Sequence, residues 1–387
     1  MKVGYNNNKY PEKRCIIDKL TTIEYINCKN KNFLMGFKAI QKVFRPKKLS
    51  NVDYKYLSLP QQIDGYHFFN YVTTVNTPWI TTYETFVPRI KETLNIHHCD
   101  ATFPCTDKIY KELEVLASRN CKKLIALSKC NQSMQIELLK QYPTLYKKIK
   151  PKLTQINPPH QLLINDYSEK ELSNQYIQFT FVGNDFVRKG GVEIVKALHK
   201  INKIGLYPIK LVLVTDINNR ENYVFKDNQL TEKEFEEVEN IIMNSPWIEL
   251  YSNLPNDKVL NLMKNSHIGL LPTWGDTYGY SILEFQAAGC PVITTNVRAI
   301  PEINNDKCGW LIELNLNKHG ELGITSFEER QIMSQKIIDG LINAISYILE
   351  NPKSIKNKGE ASLNRIAREH NPSEYANKLA QIYKESF

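Results

Sequence analysis

The second half of this 387-residue chain alternates strand-like and helix-like stretches in a regular order. Runs rich in β-branched and aromatic residues, such as YIQFTFVG (176–183) and KLVLVTD (210–216), are each followed by a segment with helical periodicity. The first such segment repeats apolar residues at Val192, Val195 and Leu198. Strands that alternate with helices of about ten residues are typical of a parallel sheet covered on both faces, so we predict a doubly wound α/β domain.

The first half is less regular but carries the same two kinds of element. GYHFFNYVTTVNTPWITTYETF (65–86) and KKLIALS (122–128) resemble strands, whereas IYKELEVLASR (109–119) and NQSMQIELLKQY (131–142) have helical periodicity. A single core tends to stop growing at roughly 250 residues. We therefore predict two α/β domains, residues 1–165 and 166–372, joined by a polar, proline-initiated linker.

The composition, with 42% apolar and 24% charged residues, is typical of a soluble globular protein. No run approaches the ~18 apolar residues that a bilayer crossing needs, and the N-terminus lacks the apolar core of a signal peptide. We therefore expect a cytoplasmic protein, with its eight cysteines as free thiols. His97, His98, Cys99 and Cys105 lie close together but fit no common zinc template, so no metal site is expected.

The net charge of +9 is concentrated in the N-terminal part of the chain. Residues 1–165 hold 26 Lys and Arg against 12 Asp and Glu. Within them, residues 29–48 combine apolar residues at helical spacing, Phe33, Phe37, Ile40 and Phe44, with a run of cations that no acid interrupts and that includes Lys31, Lys38, Lys42, Arg45, Lys47 and Lys48. A basic amphipathic helix can lie on an anionic membrane, but a surface helix packed on its own sheet has the same pattern.

The first candidate site is FVGNDFVRKGG (181–191). A strand ends at Gly183, a short loop carries Arg188 and Lys189, and paired glycines beginning at Gly190 open a helix. Two cations and free backbone amides at the carboxyl end of a strand suit a phosphate group. The segment contains neither a Walker A loop nor a G-x-G-x-x-G motif.

The second candidate site is LLPTWGDTYGYSILEFQAAGCPVITT (270–295). A loop containing Asp276 joins a strand to a helix whose first amides, from Gly279 to Ser281, should be unpaired donors suited to an anion. Glu284 lies one turn into that helix. A carboxylate does not bind phosphate, but it accepts hydrogen bonds from sugar hydroxyls. We therefore expect both acids to face the same crevice as the amides.

These segments, in this order, resemble the retaining group 1 glycosyltransferases of the GT-B fold, carbohydrate-active family 4. The resemblance covers most of the second half and includes WIELYSNLPNDKVLNLMKNSHIGLLPT (247–273) and CGWLI (308–312). Asp276 and Glu284 have the spacing of the family's acidic pair. The family usually has Glu at the first of these positions, and it often has Arg where this chain has Asn184.

The resemblance implies two Rossmann-like domains facing across a cleft, with a last helix, residues 373–387, that returns to complete the first domain. It also implies a donor site in the second domain. There, Lys189 and Arg188 would hold the diphosphate of a UDP-, GDP- or ADP-sugar, Glu284 would bond the ribose, and Asp276 would bond a hydroxyl of the transferred sugar. The remaining donor-binding candidates are Gly183, Gly190, Leu254, Thr277, Tyr278, Gly279 and Tyr280.

The acceptor, a glycan, a lipid-linked sugar or another hydroxyl compound, is expected to bind the first domain. His67, Asn70 and Glu84 lie near the ends of predicted strands and are the candidate residues. Glu84 is preferred, and it joins Asp276, Glu284 and Lys189 as a candidate catalytic residue. No cofactor is expected, because cations and helix-end amides can stabilise the leaving diphosphate.

Alternatives remain open from the sequence. Another GT-B activity, such as nucleotide-sugar epimerisation or glycogen-type synthesis, would use the same donor features. A non-catalytic nucleotide-sugar binding protein would explain Asp276 and Asn184 as signs of lost activity. The basic first half could bind nucleic acid, but it contains no recognition motif for one, so no nucleic-acid partner is expected.

Overall fold

In a computed structural model of the chain, the described residues are 1–28, 62–94, 102–205, 207–220 and 222–387. They form two compact units. The first contains residues up to 94, residues 103–159 and residues 372–387, and the second contains residues 160–371. The basic segment 29–48 and the potential ligands His97, His98 and Cys99 lie outside the described residues. Across the described ranges, no helix is both long and apolar enough to span a membrane.

The first unit is built on a six-stranded parallel sheet. Its strands are β1 (Lys2–Tyr5), β2 (Glu24–Asn27), β3 (Gly65–Phe69), β4 (Trp79–Tyr83), β5 (Cys121–Ala126) and β6 (Leu153–Gln155), in the order β2-β1-β3-β4-β5-β6. Its helices before the linker are α1 (Tyr10–Cys15), α2 (Lys91–Leu94), α3 (Asp107–Ala117), α4 (Lys129–Lys140) and α5 (Pro143–Ile149), and a short 3₁₀ turn follows at Lys150–Lys152. Strands β1, β2 and β6 are new relative to the sequence prediction, because runs of three or four residues carry little periodicity.

The second unit has its own six-stranded parallel sheet. Its strands are β7 (Ile177–Val182), β8 (Ile209–Val214), β9 (Ile248–Tyr251), β10 (Ile268–Leu271), β11 (Val292–Thr295) and β12 (Gly309–Ile312), in the order β12-β11-β10-β7-β8-β9. A 3₁₀ turn at Tyr167–Glu169 precedes them, and the helices are α6 (Gly191–Ile204), α7 (Glu232–Asn244), α8 (Asn256–Lys264), α9 (Tyr280–Ala287), α10 (Ile300–Ile303), α11 (Phe327–Glu350) and α12 (Lys353–Glu369). The predicted α/β class with two parallel sheets is confirmed.

Two helices of the second unit follow directly from their sequences. Helix α6 begins after Gly190 and ends before Gly205, and both glycines have the left-handed conformation that suits helix boundaries. Residues 281–287 of helix α9 are all buried, including the polar residues Ser281, Glu284 and Gln286. A helix that is buried on every face is enclosed by other elements. Both helices start directly after strand–loop segments that carry the candidate site residues.

The last helix, α13 (Pro372–Ser386), belongs to the first unit. Tyr375, Leu379 and Tyr383 repeat at helical spacing and are buried in one core cluster with Val3 and Ile80. Burying a large apolar side chain contributes roughly 1.5–3 kcal/mol. The C-terminal residues are therefore an integral part of the first unit's core.

His67 lies inside this core and does not reach an acceptor. The side chain has no exposed surface, and its two ring nitrogens lie 2.8 Å from the Tyr383 hydroxyl and 2.8 Å from Thr82 Oγ1. Burial lowers the pKa of His67 from its usual 6.5 to about 3, so the ring is neutral at physiological pH. The assignment of His67 to acceptor binding is therefore wrong: this histidine fastens α13 to the sheet.

Candidate active site

The candidate site lies at the switch point of the second sheet. Strand β7 has β8 on one side and β10 on the other, so the chain leaves β7 toward one edge of the sheet and later returns to fill the other. In such sheets, ligands bind in the crevice at the carboxyl ends of the two central strands. The loop after β7 spans residues 183–190, and the loop after β10 spans residues 272–279. The two sequence motifs therefore meet at one place in the fold.

Hydrogen bonds join these two loops directly. The Arg188 carbonyl accepts from the Trp274 amide at 2.9 Å and from Thr273 Oγ1 at 3.1 Å. The loops also approach closely at Gly190, where a Cβ atom would overlap the carbonyl of Pro272. Gly190 has φ +85°, a conformation that glycine adopts without strain. The sequence thus provides a glycine where the two loops touch.

The Arg188 guanidinium is engaged within the protein. It pairs with the Asp185 carboxylate and donates to the Gly275 carbonyl, and Asp185 also accepts from Asn219 at 3.1 Å. Burial lowers the pKa of Arg188, but the nearby carboxylates of Asp276 and Asp185 outweigh it and raise the pKa above its usual value. In this arrangement Arg188 connects the two loops, which differs from the predicted role of holding a diphosphate.

Lys189 is the cation that remains available. Its side chain is half-buried, and among the described residues no hydrogen bond or ion pair holds its ammonium group. The aliphatic part of the side chain lies across Gly183, where a Cβ atom would overlap Lys189 Cδ. Gly183 therefore lets the lysine lie over the end of β7. A lysine held in this way is a point charge suited to a phosphate group.

Asp276 caps its own loop. Its Oδ1 accepts from the Tyr278 amide at 3.2 Å and from the Gly279 amide at 3.0 Å. The expectation that the Gly279 amide would be an unpaired donor is therefore wrong, because the carboxylate three residues earlier already satisfies it. Asp276 is half-buried, and its second carboxylate oxygen takes no part in these two bonds.

The first turn of α9 supplies further polar groups. Ser281 is 8% exposed, and its hydroxyl has no hydrogen-bond partner within the described ranges. Glu284 lies one turn further on and is 8% exposed. Tyr278 is 1% exposed, and its ring packs against Tyr280 with 5.3 Å between the centroids. The Ser281 hydroxyl was not among the sequence candidates, although its position at the second residue of the helix is a signal for anion binding.

Two other predicted donor residues lie around this crevice. Thr277 is half-buried between Asp276 and Tyr278. Leu254 lies in the loop between β9 and α8 and is half-buried. Strand β9 is two positions from β7 in the sheet, which corresponds to roughly 10 Å at ordinary strand spacing.

On the first unit, Asn70 and Glu84 follow the carboxyl ends of β3 and β4. The Asn70 amide nitrogen Nδ2 donates to Glu84 Oε1 at 3.0 Å, and the Glu84 backbone amide donates to Asn70 Oδ1 at 3.1 Å. Arg89 forms an ion pair with the same Glu84 oxygen at 2.6 Å. The structure therefore brings Asn70 and Glu84 together and gives Glu84 two donors on one oxygen.

The second unit matches a known protein family. The sequence model of the family described as glycosyl transferases group 1 matches residues 164–344, somewhat under half of the chain and nearly all of this unit. The second unit is a group 1 glycosyltransferase domain. No curated protein matches the chain as a relative.

Solved structures resemble the chain over both units. Sucrose-phosphate synthase from Thermosynechococcus elongatus is 16% identical, with 91% of this chain and 77% of that one covered at a TM-score of 0.56. A glycosyltransferase from Rickettsia africae is 18% identical, with 94% and 85% covered at 0.56. Alr3699/HepE from Anabaena, in complex with UDP and glucose, is 11% identical, with 99% of each chain covered at 0.58. At these identities the likeness shows the fold, which is that of GT-B proteins.

Glu193 is a residue of the glycosyltransferase domain that the sequence did not single out. Its carboxylate accepts from Trp274 Nε1 at 3.2 Å and from the Ser334 hydroxyl at 2.7 Å, and the residue is 2% exposed. Burial raises the pKa of Glu193. The Trp274 ring also packs edge-on against Phe225 at 4.6 Å. Glu193 thereby fixes the loop that carries Asp276. Its only signal in the sequence is that it is an acidic residue at the third position of an otherwise apolar first helical turn.

The described ranges contain no candidate metal centre. Within them, no group of three or more His, Cys, Asp or Glu residues could hold a metal ion. Cys105, the described member of the His97–Cys105 group, is exposed and free.

Proposed function

We propose that this protein transfers a sugar from a nucleotide-sugar donor to a hydroxyl group of an acceptor, with retention of configuration and without a metal cofactor. The observation that carries the proposal is the meeting of the two motif loops at the switch point. Lys189 lies in the first of these loops, Asp276 lies in the second, and Glu284 lies in helix α9, which follows the second loop. Group 1 glycosyltransferase membership supports nucleotide-sugar chemistry in general.

The leaving diphosphate is the group that most needs stabilisation. As the bond to the sugar breaks, negative charge grows on the diphosphate and positive charge grows at the anomeric carbon. Lys189 lies beside the end of β7, and the Ser281 amide and hydroxyl lie at the positive end of α9. Donors already fixed in place stabilise developing charge without reorganisation, and such stabilisation is commonly the main source of an enzyme's rate enhancement.

The two carboxylates suit the neutral parts of the donor. In this proposal Glu284 accepts hydrogen bonds from the ribose hydroxyls, and the second oxygen of Asp276 accepts one from the transferred sugar. Leu254 lies toward the nucleotide base. The similarity of fold to a protein in complex with UDP and glucose supports a nucleoside diphosphate sugar as the donor.

The acceptor binds the first unit in this proposal, near Asn70 and Glu84. Because Glu84 Oε1 already accepts from Asn70 and Arg89, we assign Glu84 the role of positioning these two residues. A glycan or a lipid-linked sugar has the hydroxyl group that the reaction requires. Contact between the basic N-terminal residues and an anionic membrane would suit a lipid-linked acceptor.

Incubation with a panel of UDP-, GDP- and ADP-sugars tests the proposal. We expect at least one donor to raise the melting temperature and to release free nucleotide when acceptor glycans are added. Release that is unaffected by EDTA, with a product whose anomeric configuration by NMR equals that of the donor, would support metal independence and retention. A thermal shift without release under all conditions would favour a nucleotide-sugar binding protein, and no response to any donor would contradict the proposal.

The membrane contact has a separate test. Co-sedimentation with vesicles of phosphatidylserine and phosphatidylcholine should be salt-sensitive, because attraction between exposed charges is screened by salt. Absence of binding to these vesicles at low salt would exclude the contact.

A further inference from the structure

A pocket of mixed polar and apolar lining on the first unit has no role in the donor site. It measures about 230 Å³ and lies where the chain leaves β3. Only nine residues connect β3 to β4, and they include no helix, whereas a parallel crossover usually takes a dozen or more residues. Its lining includes Asn70, Tyr71, Thr73, Arg89, Glu112 and Val115.

Backbone strain at Asn70 shapes one wall of the pocket. Asn70 has φ +55°, a conformation that few residues other than glycine adopt. Its amide still donates to the Thr82 carbonyl at 2.7 Å, and the next amide, of Tyr71, donates to Thr81 Oγ1 at 3.4 Å. The chain therefore turns away from β3 immediately after the hydrogen bond from the Asn70 amide to β4. The reciprocal hydrogen bonds with Glu84 hold Asn70 in this conformation. Strained backbone conformations that the surrounding structure holds in place are common at binding sites.

The Thr73 hydroxyl is the second unusual feature. Thr73 is 4% exposed and lines the pocket, yet its Oγ1 has no hydrogen-bond partner in the part of the chain that the structure describes. Leaving a buried polar group without a partner is unfavourable, because the group has lost its hydrogen bonds to water. A ligand with a hydroxyl group would satisfy it.

The charges of the pocket favour a neutral ligand. Arg89 is neutralised by its 2.6 Å ion pair with Glu84, so it does not present a free positive charge to an anion. Glu112 adds a carboxylate to the wall, which also disfavours anions. Tyr71, Pro88 and Val115 add apolar surface to the lining. Sugar rings combine hydroxyl groups that donate and accept with apolar C–H faces, and they match this mixture.

The size of the pocket limits what it can hold. A volume of about 230 Å³ is far above the ~10–15 Å³ that a single water molecule needs. It is below the ~300–1,000 Å³ of pockets that enclose larger ligands. One sugar ring therefore fits, whereas a longer saccharide must extend out of it.

We infer that this pocket binds one neutral sugar unit of the acceptor. The inference that the ligand is a sugar rests on the geometry of the pocket. The inference that this sugar belongs to the acceptor rests on the proposed glycosyl transfer. The Thr73 hydroxyl and Glu112 bond the ring hydroxyls, and Asn70 is held by Glu84 in the conformation that opens the pocket.

Saturation-transfer NMR with methyl glycosides tests this inference. The probes are the methyl glycosides of glucose, galactose, mannose and N-acetylglucosamine, together with the anionic methyl glucuronide. Thr73→Val removes the hydroxyl at constant volume, and Val115→Trp fills the pocket. Glu114→Trp, at an exposed position on the same helix, is the matched control. Melting temperatures and nucleoside diphosphate binding are measured for every variant to show that it is folded.

We expect at least one neutral glycoside to bind the wild type and the Glu114→Trp variant. Thr73→Val should weaken that binding about tenfold, as for loss of one good hydrogen bond, and Val115→Trp should abolish it. No binding of any neutral glycoside, binding that survives Val115→Trp, or a preference for methyl glucuronide would overturn the inference. Nucleotide-sugar turnover without glycoside binding would overturn it while the proposed function stands, and glycoside binding without any turnover would overturn the acceptor assignment.

Discussion

The carboxyl edges of the two sheets differ in how their polar residues are used. In the second unit, two loops from neighbouring strands are bonded to each other through the Arg188 carbonyl, and Lys189 stays available beside them. In the first unit, Glu84 is saturated on one oxygen by Asn70 and Arg89, and His67 is fully buried. Polar residues at the end of a strand therefore indicate a site only when the surrounding structure leaves part of them unsatisfied.

This contrast explains why the sequence was informative for one unit and less so for the other. In the second unit the chemistry depends on backbone positions, helix starts and glycines, and these have fixed spacing along the chain. In the first unit the pocket depends on which side chains pair after folding. The following substitutions test this contrast between the two units.

Replacing Lys189 should have the largest effect. Lys189→Ala removes the one cation in the crevice that no described residue pairs, and loss of a preorganised charge-stabilising group commonly lowers turnover by about 100- to 1,000-fold. Nucleotide release from the best donor measures it. Lys200→Ala, an exposed lysine on the same helix α6, is the control and should leave turnover unchanged. Equal activity of the Lys189 variant would place the diphosphate elsewhere.

Asp276→Asn separates the two functions of this residue. An asparagine keeps the Oδ1 acceptor for the amides of Tyr278 and Gly279, so the loop and the melting temperature should be preserved. Loss of the charge should lower transfer by about 10- to 100-fold, as for one hydrogen bond to a charged group. Nucleotide binding by calorimetry should remain, whereas Glu284→Ala should weaken both binding and transfer. A parallel loss of nucleotide binding in Asp276→Asn would contradict the assigned roles.

Gly183→Ala tests how Lys189 is held. The new Cβ overlaps Lys189 Cδ, so the lysine must move away from the end of β7. We expect turnover to fall by about tenfold, a free-energy change near ~1.4 kcal/mol, with little change in melting temperature. Asn184→Ala, at the neighbouring exposed position, serves as the matched control. Full activity of Gly183→Ala would show that the lysine acts from another conformation.

His67→Gln should change stability without changing donor binding. Because burial holds the pKa of His67 near 3, the folded state stays neutral while the unfolded state takes up a proton below its usual pKa of 6.5. Stability is therefore present above pH 6.5 and falls as the pH is lowered toward 3, by about 1.4 kcal/mol per pH unit. Between about pH 7 and pH 5 the wild type should lose about 2 kcal/mol more than the variant in urea unfolding. Equal losses would show that His67 titrates in the folded state.

Much of the fold could be predicted from the sequence. The strands and helices from residue 176 to residue 314 follow periodicities that are local, and the α/β class follows from their alternation. The sequence analysis does not predict helices α11 and α12. They follow the last motif, and their sequences carry no functional signal. The contacts of Arg188 with Asp185 and Gly275 could not be predicted, because they depend on how two loops meet in space.

The sequence by itself determined which residues begin and end the elements, including Gly183, Gly190 and the spacing of Asp276 and Glu284. These are local properties of backbone conformation and hydrophobic period. Only the tertiary structure decided that β7 lies beside β10, that His67 is enclosed by the last helix, and that the Thr73 hydroxyl lies in a pocket without a partner among the described residues. Strand order and the pairing of buried polar groups arise from packing between residues far apart in the chain, which no local pattern records.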